Sequence, residues 1–548
     1  MSSRRLPAVA SEKAGEIALV LLCSAVLTIA LTFPLAFQLG HIGRVDNADG
    51  QLSIWNVAWV ARTIVVSPMH VFDANIFYPH HDTLAYSESN LGAGIVAAPV
   101  YWTTRNPFAA HNVAVLFAFF ISTVGMYYLT RHLSGDPRAA AIAAIGYAFC
   151  PYIYARTSHI QLLMIGGLPF VMLALHRLVE RPSPGRGATL GLAMAMQALF
   201  CGYYGIFAIL IVGFGVLVLA TSRHRWTDGR FWLSLAVGAV VSFAIVVPAF
   251  LPYARVQGQG FGRTLEAAAS FSANWSAYLA SSSHAHAWML SLIPRPSESL
   301  FPGFVMLVCG LAGAWMLARR GRSELLALYG GLAVLACWAS FGPRAYFYSV
   351  LYRAVPVFAW MRAPARFGLL VTFALSVLSA LALATWFSRV RAATLLAVAL
   401  ACVTAGELAT TWPMRDVGDV EPVYRVLARL PPGPVIEMPF WYLEFMFPRH
   451  TYYMLQSTRH WMPLVNGYSD YMPPDFLDHV MTLAAFPSRD SFKLLEPGHV
   501  RYAIIHRYWY GDDTWATVAP RMREFESYLR PLYKGEGTEL YEIVGFPP

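Results

Sequence analysis

Charged residues are scarce in this sequence. Asp, Glu, Lys and Arg make up only 13% of its 548 residues, whereas hydrophobic residues make up 57%. A soluble fold of this length cannot bury so much apolar surface, so the composition excludes an ordinary water-soluble protein and indicates a membrane protein. The formal net charge of +9 is then explained by arginines that set membrane topology, and we expect no nucleic-acid partner.

The sequence also lacks the motifs of several common sites. It contains no HExxH, GxSxG, paired-cysteine or glycine-rich phosphate-binding motif, so soluble-nucleotide chemistry has no support. All six cysteines lie in apolar runs, where a thiol acts as a small hydrophobic side chain, and no disulfide framework is expected. They are Cys23, Cys150, Cys201, Cys309, Cys337 and Cys402.

Long apolar runs dominate the first three quarters of the chain and predict about eleven transmembrane helices. They cover residues 17–39, 111–130, 139–154, 161–179, 187–202, 204–221, 231–252, 301–318, 325–341, 367–387 and 392–411. With the N-terminus in the cytoplasm, every short arginine-rich loop falls on the cytoplasmic side, as the positive-inside rule requires. The first run is too long for a signal peptide, so we expect a multi-pass protein of the cell inner (cytoplasmic) membrane.

The same alternation leaves the long polar segments outside. They are the first loop, about 40–110, then 253–300, 342–366, and everything after 411. After residue 411 the composition becomes polar, with strand-like runs at 434–439, 500–506 and 538–544 and helix-like runs at 471–485 and 520–530. We therefore predict a transmembrane domain over 1–411, which includes the first loop, and a small extracytoplasmic α/β domain over 412–548.

Two acids, Asp46 and Asp49, lie at the start of the first outer loop. If a helix runs on through Trp55 and Trp59, both carboxylates share one face. Such a pair can bind a divalent cation, or one acid can act as general base on an acceptor hydroxyl. The alternative is an Asx turn that caps an interfacial helix, with Asp49 as a first-turn acid. Two acids without a third ligand hold a metal poorly, so a divalent cation stays open as the one cofactor.

Further candidates lie in the outer loops. His80 and Glu88 follow in the first loop, where vicinal His80 and His81 point to opposite sides and make a poor metal motif. We expect His80 and Glu88 to bond within the loop or to line a polar cleft.

Outer arginines oppose the positive-inside trend and therefore need an anionic partner. Arg156, with His159, can clamp a lipid phosphate, although headgroup contact explains the two residues equally well. Arg362 and Arg366 flank a membrane boundary and fit a phosphate or pyrophosphate. Pairing of these two arginines with acids of the tail is the rival explanation.

The whole chain resembles the GT-C superfamily of membrane glycosyltransferases. The resemblance rests on the long first loop with Asp46 and Asp49, on the many-helix core, on the outer tail, and on the segments 46–50, 361–367 and 434–439. It implies sugar transfer, with direct inversion, from a polyprenyl-phosphate donor to a glycan, lipid or protein acceptor of the envelope.

The resemblance also implies roles for the candidate residues. A first-loop Asp, either Asp46 or Asp49, acts as catalytic base or metal ligand in such enzymes. Arg156, Arg362 or Arg366 would neutralise the leaving phosphate, and His159, His80 or Glu88 would orient the sugar or the acceptor.

Two rival functions need different features. A lipid-linked saccharide flippase or exporter needs a continuous polar path, and a non-catalytic envelope scaffold would use the tail as a binding surface.

Overall fold

The computed structural model describes residues 6–258, 262, 264–293, 296–321, 323–355, 357–358 and 361–548. The chain folds into two compact units. The first, here the helical unit, comprises residues 1–38, 113–251 and 262–413. The second, here the sheet unit, comprises residues 39–112, 252–261 and 414–548.

Each apolar run of the sequence contains a helix. The runs at 187–202 and 204–221 form two helices, because Cys201 is extended (φ −160°, ψ 115°) between them. All six cysteines are free thiols. The helices rich in apolar residues are Leu6–Leu31, Pro107–Ser134, Pro137–Ala148, Pro151–Tyr154, Ile160–Leu163, Gly167–Glu180, Pro184–Phe200, Gly202–Ser222, Gly229–Gln257, Phe304–Arg319, Gly331–Ser340, Gly368–Phe387 and Ala393–Leu408.

Among the described residues, six helical segments are long and apolar enough to cross a membrane. They are Ala14–Leu31, Pro107–Ser134, Ile160–Glu180, Gly202–Ser222, Gly229–Gln257 and Pro364–Phe387. Large apolar side chains such as Leu22 and Val240 are exposed, with 62% and 67% of their surface free. Such surfaces need lipid, and the chain is a multi-pass membrane protein.

Glu407 is an acid inside an apolar run, and its partners are structural. The carboxylate accepts hydrogen bonds from the backbone N–H groups of Phe304 and Val305, at the start of helix Phe304–Arg319. The His286 ring nitrogen Nε2 lies 3.0 Å from Glu407 Oε1. Because the first N–H groups of a helix lack intrahelical partners, Glu407 and His286 stabilise the beginning of this helix.

Two helices of the first loop form part of the core of the sheet unit. The first loop helix, Ala48–Val66, buries Trp55 and its apolar neighbours, and it packs against the second loop helix, Leu91–Thr104. The contact is close at Gly94, where an added Cβ would lie 2.3 Å from a methyl carbon of Val60. Helix His450–Ser457 of the tail packs on the first loop helix as well. Apolar residues of the loop and of the tail are therefore buried in one unit.

Two sheets complete the sheet unit. Strand β1 (Ile42–Gly43) pairs antiparallel with β2 (Arg415–Asp416). The larger sheet has the order β3-β4-β6-β5, in which β3 and β4 are parallel and the other neighbours antiparallel. Its strands are β3 (Val435–Met438), β4 (Tyr502–His506), β5 (Leu529–Lys534) and β6 (Thr538–Ile543).

The three strand-like runs of the tail are therefore strands, and the helix-like run at 471–485 contains helix Pro474–Ala484. The prediction of a helix over 520–530 is wrong at its end. Helix Asp512–Glu524 stops before β5 begins at Leu529. Only Leu529 is fully buried in this edge strand, so the strand has no continuous apolar pattern that marks it in the sequence. The remaining helices of the tail are Pro422–Leu427, His450–Ser457 and Arg489–Leu495.

Candidate active site

The acidic pair lies at the beginning of the first loop helix. The N-cap is Asn47, whose side-chain oxygen accepts a hydrogen bond from Gly50 N at 2.8 Å. Asp49 is in the first turn, where a carboxylate is favoured by the helix dipole. Asp46 precedes the cap, so the expectation that both acids share one helical face is wrong. The structure has the alternative arrangement, in which an Asx residue, Asn47, caps the helix and Asp49 is the first-turn acid.

Arg44 fixes the Asp46 carboxylate. The guanidinium donates from Nε to Oδ1 at 2.9 Å and from Nη2 to Oδ2 at 3.3 Å, and the Asn47 amide donates to Oδ1 at 3.3 Å. The turn is tight at Gly50, where an added Cβ would lie 2.0 Å from the Arg44 carbonyl oxygen. Only glycine allows this approach. The tight turn and the Arg44 guanidinium therefore both fix the position of Asp46.

The charge of Arg44 also sets the protonation of Asp46. Burial acts to raise the pKa of Asp46, but the hydrogen bond and the charge of Arg44, with the Asn47 amide, hold that pKa below its usual value. The carboxylate keeps 30% of its surface exposed. Asp46 is therefore an ionised group that a solvent-borne substrate can reach.

His80 lies in a loop stabilised by ion pairs with several carboxylates. Its Nε2 is 3.1 Å from Asp475 Oδ2, whereas His81 Nδ1 is 3.4 Å from Asp73 Oδ1. The two histidines therefore face different carboxylates, as expected for vicinal side chains. Among the described residues, no group of three or more His, Cys, Asp or Glu side chains could hold a metal ion.

Glu88 is close to the first loop helix. Its carbonyl accepts a hydrogen bond from the Asn56 amide at 3.0 Å, and Asn56 is two helical turns, about 10 Å, beyond Asp49. Two further residues that hold this loop, Tyr253 and Arg255, were not predicted from the sequence. Tyr253 OH accepts from Ser89 N at 2.7 Å, and Arg255 donates to both Asp82 oxygens at 2.7 and 2.6 Å. Both residues follow the apolar run that ends at 252, and no local signal links them to the first loop.

The helical unit brings Arg156 and Arg366 around one aromatic side chain. The Arg156 guanidinium lies 5.9 Å from the centre of the Tyr152 ring and pairs with Glu298. Arg366 lies 4.5 Å from the centre of the Tyr203 ring and within electrostatic reach of Tyr152. In the described part of the chain Arg366 has no carboxylate partner, so its charge is free to meet an anion.

Arg362 and His159 flank these groups along the chain. The Arg362 guanidinium lies 5.0 Å from the centre of the Phe271 ring. His159 precedes the short helix Ile160–Leu163, and its backbone N–H donates to the Arg156 carbonyl at 2.9 Å. The Tyr203 hydroxyl donates to the Ala363 carbonyl at 2.6 Å, which fixes the segment that carries Arg362 and Arg366.

Comparison with known proteins gives a result from structure alone. No protein-family model matches the sequence, and no curated protein sequence matches it. The crystal structure of ArnT from Cupriavidus metallidurans in the apo state matches with a TM-score of 0.52, over 98% of this chain and 100% of that chain. The chain has the ArnT fold.

The two sequences are only 15% identical, so the similarity to ArnT establishes the fold and leaves the substrates open. The GT-C-like membrane fold expected from the sequence is confirmed by it. A second ArnT structure from the same organism, bound to undecaprenyl phosphate, matches with a TM-score of 0.45 and 15% identity over 97% of this chain and 99% of that one.

Proposed function

We propose that this protein is a GT-C glycosyltransferase that transfers a sugar from a polyprenyl-phosphate donor to an acceptor of the cell envelope. The observation that carries the proposal is the ionised Asp46, fixed by Arg44 beside Asp49 at the start of the first loop helix, in a chain with the ArnT fold. A polyprenyl chain must stay in lipid while its phosphorylated head meets a polar acceptor, so the reaction belongs at a membrane surface.

In the proposed reaction Asp46 or Asp49 takes the proton of the acceptor hydroxyl. The hydroxyl oxygen attacks the anomeric carbon as the bond from that carbon to the phosphate oxygen breaks, with inversion of configuration. The bond electrons leave with the polyprenyl phosphate. Arg366, whose charge lacks a carboxylate partner among the described residues, would neutralise the leaving phosphate together with Arg156 or Arg362. His80, His159 or Glu88 would orient the sugar or the acceptor.

The topology belongs to the same proposal. With the N-terminus in the cytoplasm of a bacterial cell, the loops that carry these residues and the tail after 411 lie outside the cytoplasmic membrane. The acceptor is then a glycan, lipid or protein of the envelope. The acidic pair could hold a divalent cation, but the acid–base step above does not require one.

Transfer can be tested directly with the purified full chain in lipid vesicles. The vesicles carry polyprenyl phosphate linked to a radiolabelled sugar, and an envelope fraction supplies the acceptor. We expect label to move from the lipid into an acid-stable product, at a rate proportional to the amount of protein. If a panel of pentose and hexose donors gives no product while the protein remains folded by thermal unfolding, the proposal is wrong.

The pH profile of this reaction depends on Arg44. In the Arg44→Gln variant the opposing charge is lost while the burial of Asp46 remains, so the pKa of Asp46 rises. A general base must be deprotonated, and the acid limb of kcat/KM is therefore expected at higher pH in the variant than in the parent. The position of the acid limb is measured from initial rates at a series of acidic pH values. Arg44→Lys, which keeps the charge, is the control, and an unmoved limb in Arg44→Gln would show that Asp46 is not the titrating base.

A further inference from the structure

The sheet unit contains a second group of basic residues that the proposed reaction does not use. Arg62 is near the end of the first loop helix, Arg105 is the C-cap of the second loop helix, and Arg459 follows helix His450–Ser457. We call these three residues the arginine cluster. Although they are far apart in sequence, all three lie within electrostatic reach of Tyr101.

Aromatic rings hold the arginine cluster in place. Trp461 Nε1 donates to the Tyr101 hydroxyl at 2.9 Å, and the Arg62 guanidinium lies 5.4 Å from the centre of a Trp461 ring. The Arg105 guanidinium lies 3.8 Å from Trp102 and 6.0 Å from Tyr101, again measured to ring centres. Arg459 also lies within electrostatic reach of Tyr101. Stacking on aromatic faces leaves the N–H groups at the edges of the guanidinium planes available to a ligand.

In the part of the chain that the structure describes, the charges of the arginine cluster are not compensated by an acid. Among the described residues, no carboxylate lies within ion-pair distance of any member of the arginine cluster. Some other arginines of the same unit are paired, for example Arg44 with Asp46, Arg255 with Asp82 and Arg501 with Glu542. Burial, together with repulsion from Arg105, lowers the pKa of Arg62. Partly buried like charges are unfavourable alone, and an anion bound among them would remove that cost.

Exposed apolar side chains continue from the arginine cluster along the chain. Val65, Val66 and Met69 follow Arg62 at three, four and seven residues, so Val65 and Val66 lie on the same side of the helix as Arg62. The exposed fractions of the three side chains are 57%, 54% and 89%. Apolar side chains beside arginines are typical of surfaces that contact acyl chains and lipid phosphates together.

We propose that the arginine cluster binds the phosphate of an anionic membrane lipid, with Val65, Val66 and Met69 in contact with its acyl chains. The site is separate from the proposed catalytic acids, because Arg62 is thirteen residues beyond Asp49, about 20 Å along the helix. It does not depend on the transfer reaction. A bound lipid would anchor the far end of the first loop helix, whose other end carries Asp46 and Asp49.

Native mass spectrometry of the full chain in detergent tests the proposal. The probes are phosphatidylglycerol, phosphatidylcholine and inorganic phosphate, each titrated against the parent and against Arg62→Gln/Arg459→Gln. We expect the parent to bind phosphatidylglycerol more tightly than phosphatidylcholine. The double variant should lose about fivefold in phosphatidylglycerol affinity for each arginine removed, about 25-fold in total. Arg62→Lys/Arg459→Lys should keep most of the binding, since it keeps the charge.

The matched control is Arg523→Gln, which removes an exposed arginine of helix Asp512–Glu524 in the same unit. It should bind phosphatidylglycerol like the parent, and thermal unfolding confirms that all variants are folded. Equal lipid affinity in the parent and the folded Gln double variant would overturn the proposal. An arginine-dependent response to inorganic phosphate alone, without one to phosphatidylglycerol, would also overturn it, since the ligand would then be a free anion.

Discussion

Asp46→Asn and Asp49→Asn are expected to reveal the base of the transfer reaction: one of the two lowers the rate of sugar transfer by about 100- to 10,000-fold, the range that general bases contribute. Asparagine has nearly the shape of aspartate and keeps one accepting oxygen, but it cannot take a proton. Substitution of the acid that is not the base should lower the transfer rate much less. The double variant should form no product.

The surroundings of Asp46 and Asp49 differ in the structure. The Arg44 guanidinium fixes Asp46 in an ionised state with a lowered pKa. A carboxylate of low pKa is a weak base, so this favours a role for Asp46 in orienting the substrate. Asp49 is exposed in the first helical turn, where the helix dipole favours its charged form. Since both carboxyl groups lie at one helix end, only the pair of single variants can separate them.

The measurement is release of radiolabel from polyprenyl-phosphate sugar in vesicles, at saturating donor. Asp419→Asn is the control, because it removes an exposed acid of the same unit and should leave the rate unchanged. Thermal unfolding of each variant shows whether the turn around Gly50 is intact. Rates near that of the parent in both folded single variants would exclude Asp46 and Asp49 as the base.

Much of this fold could be predicted because lipid imposes a simple rule on sequence. A helix that meets acyl chains must be apolar over most of its length, so each apolar run contained a helix, even where Cys201 alone separates two of them. The strands β3 and β4 could be predicted for a related reason, since they are wholly buried and are mainly apolar in sequence. Strand β6 is almost wholly buried too, but its sequence mixes polar and apolar residues.

Such rules do not predict contacts between residues that are far apart in the chain. Arg255 meets Asp82, and the members of the arginine cluster meet around Tyr101, although hundreds of residues separate Arg62 from Arg459 in the chain. No periodicity encodes these pairs. The candidate site shows the same limit, because the acidic pair was visible as a local motif, whereas the partnership of His80 with Asp475 depends on the folded tail.

A buried polar network in the larger sheet should have the largest effect on stability. Glu437 on β3 and His506 on β4 are both fully buried, with His506 Nε2 2.8 Å from Glu437 Oε2. The Tyr424 hydroxyl donates to the same Glu437 oxygen at 2.6 Å. The His506 ring also stacks on Tyr453 and Trp509. Burial raises the pKa of Glu437, and the interaction with His506 opposes that shift.

His506→Ala is expected to lower the free energy of unfolding by about 3–5 kcal/mol at neutral pH, because it leaves a buried carboxylate without its partner. Denaturant unfolding of the full chain, followed by tryptophan fluorescence, measures the loss. Without His506, burial raises the pKa of Glu437 against the opposing hydrogen bond from Tyr424 and holds it above that of the unfolded chain. The loss should therefore be small at acid pH, where the carboxyl is protonated in both states, and should grow as the pH rises through the folded pKa.

Two further variants separate lost charge pairing from lost packing. Adding Glu437→Gln to His506→Ala removes the unpaired charge, so the double variant should be more stable at neutral pH than His506→Ala alone. His479→Ala, which removes an exposed histidine of helix Pro474–Ala484, should leave stability unchanged. If the double variant is no more stable than His506→Ala and the loss does not depend on pH, then His506 stabilises the sheet by stacking on Tyr453 and Trp509, and its contact with Glu437 contributes little.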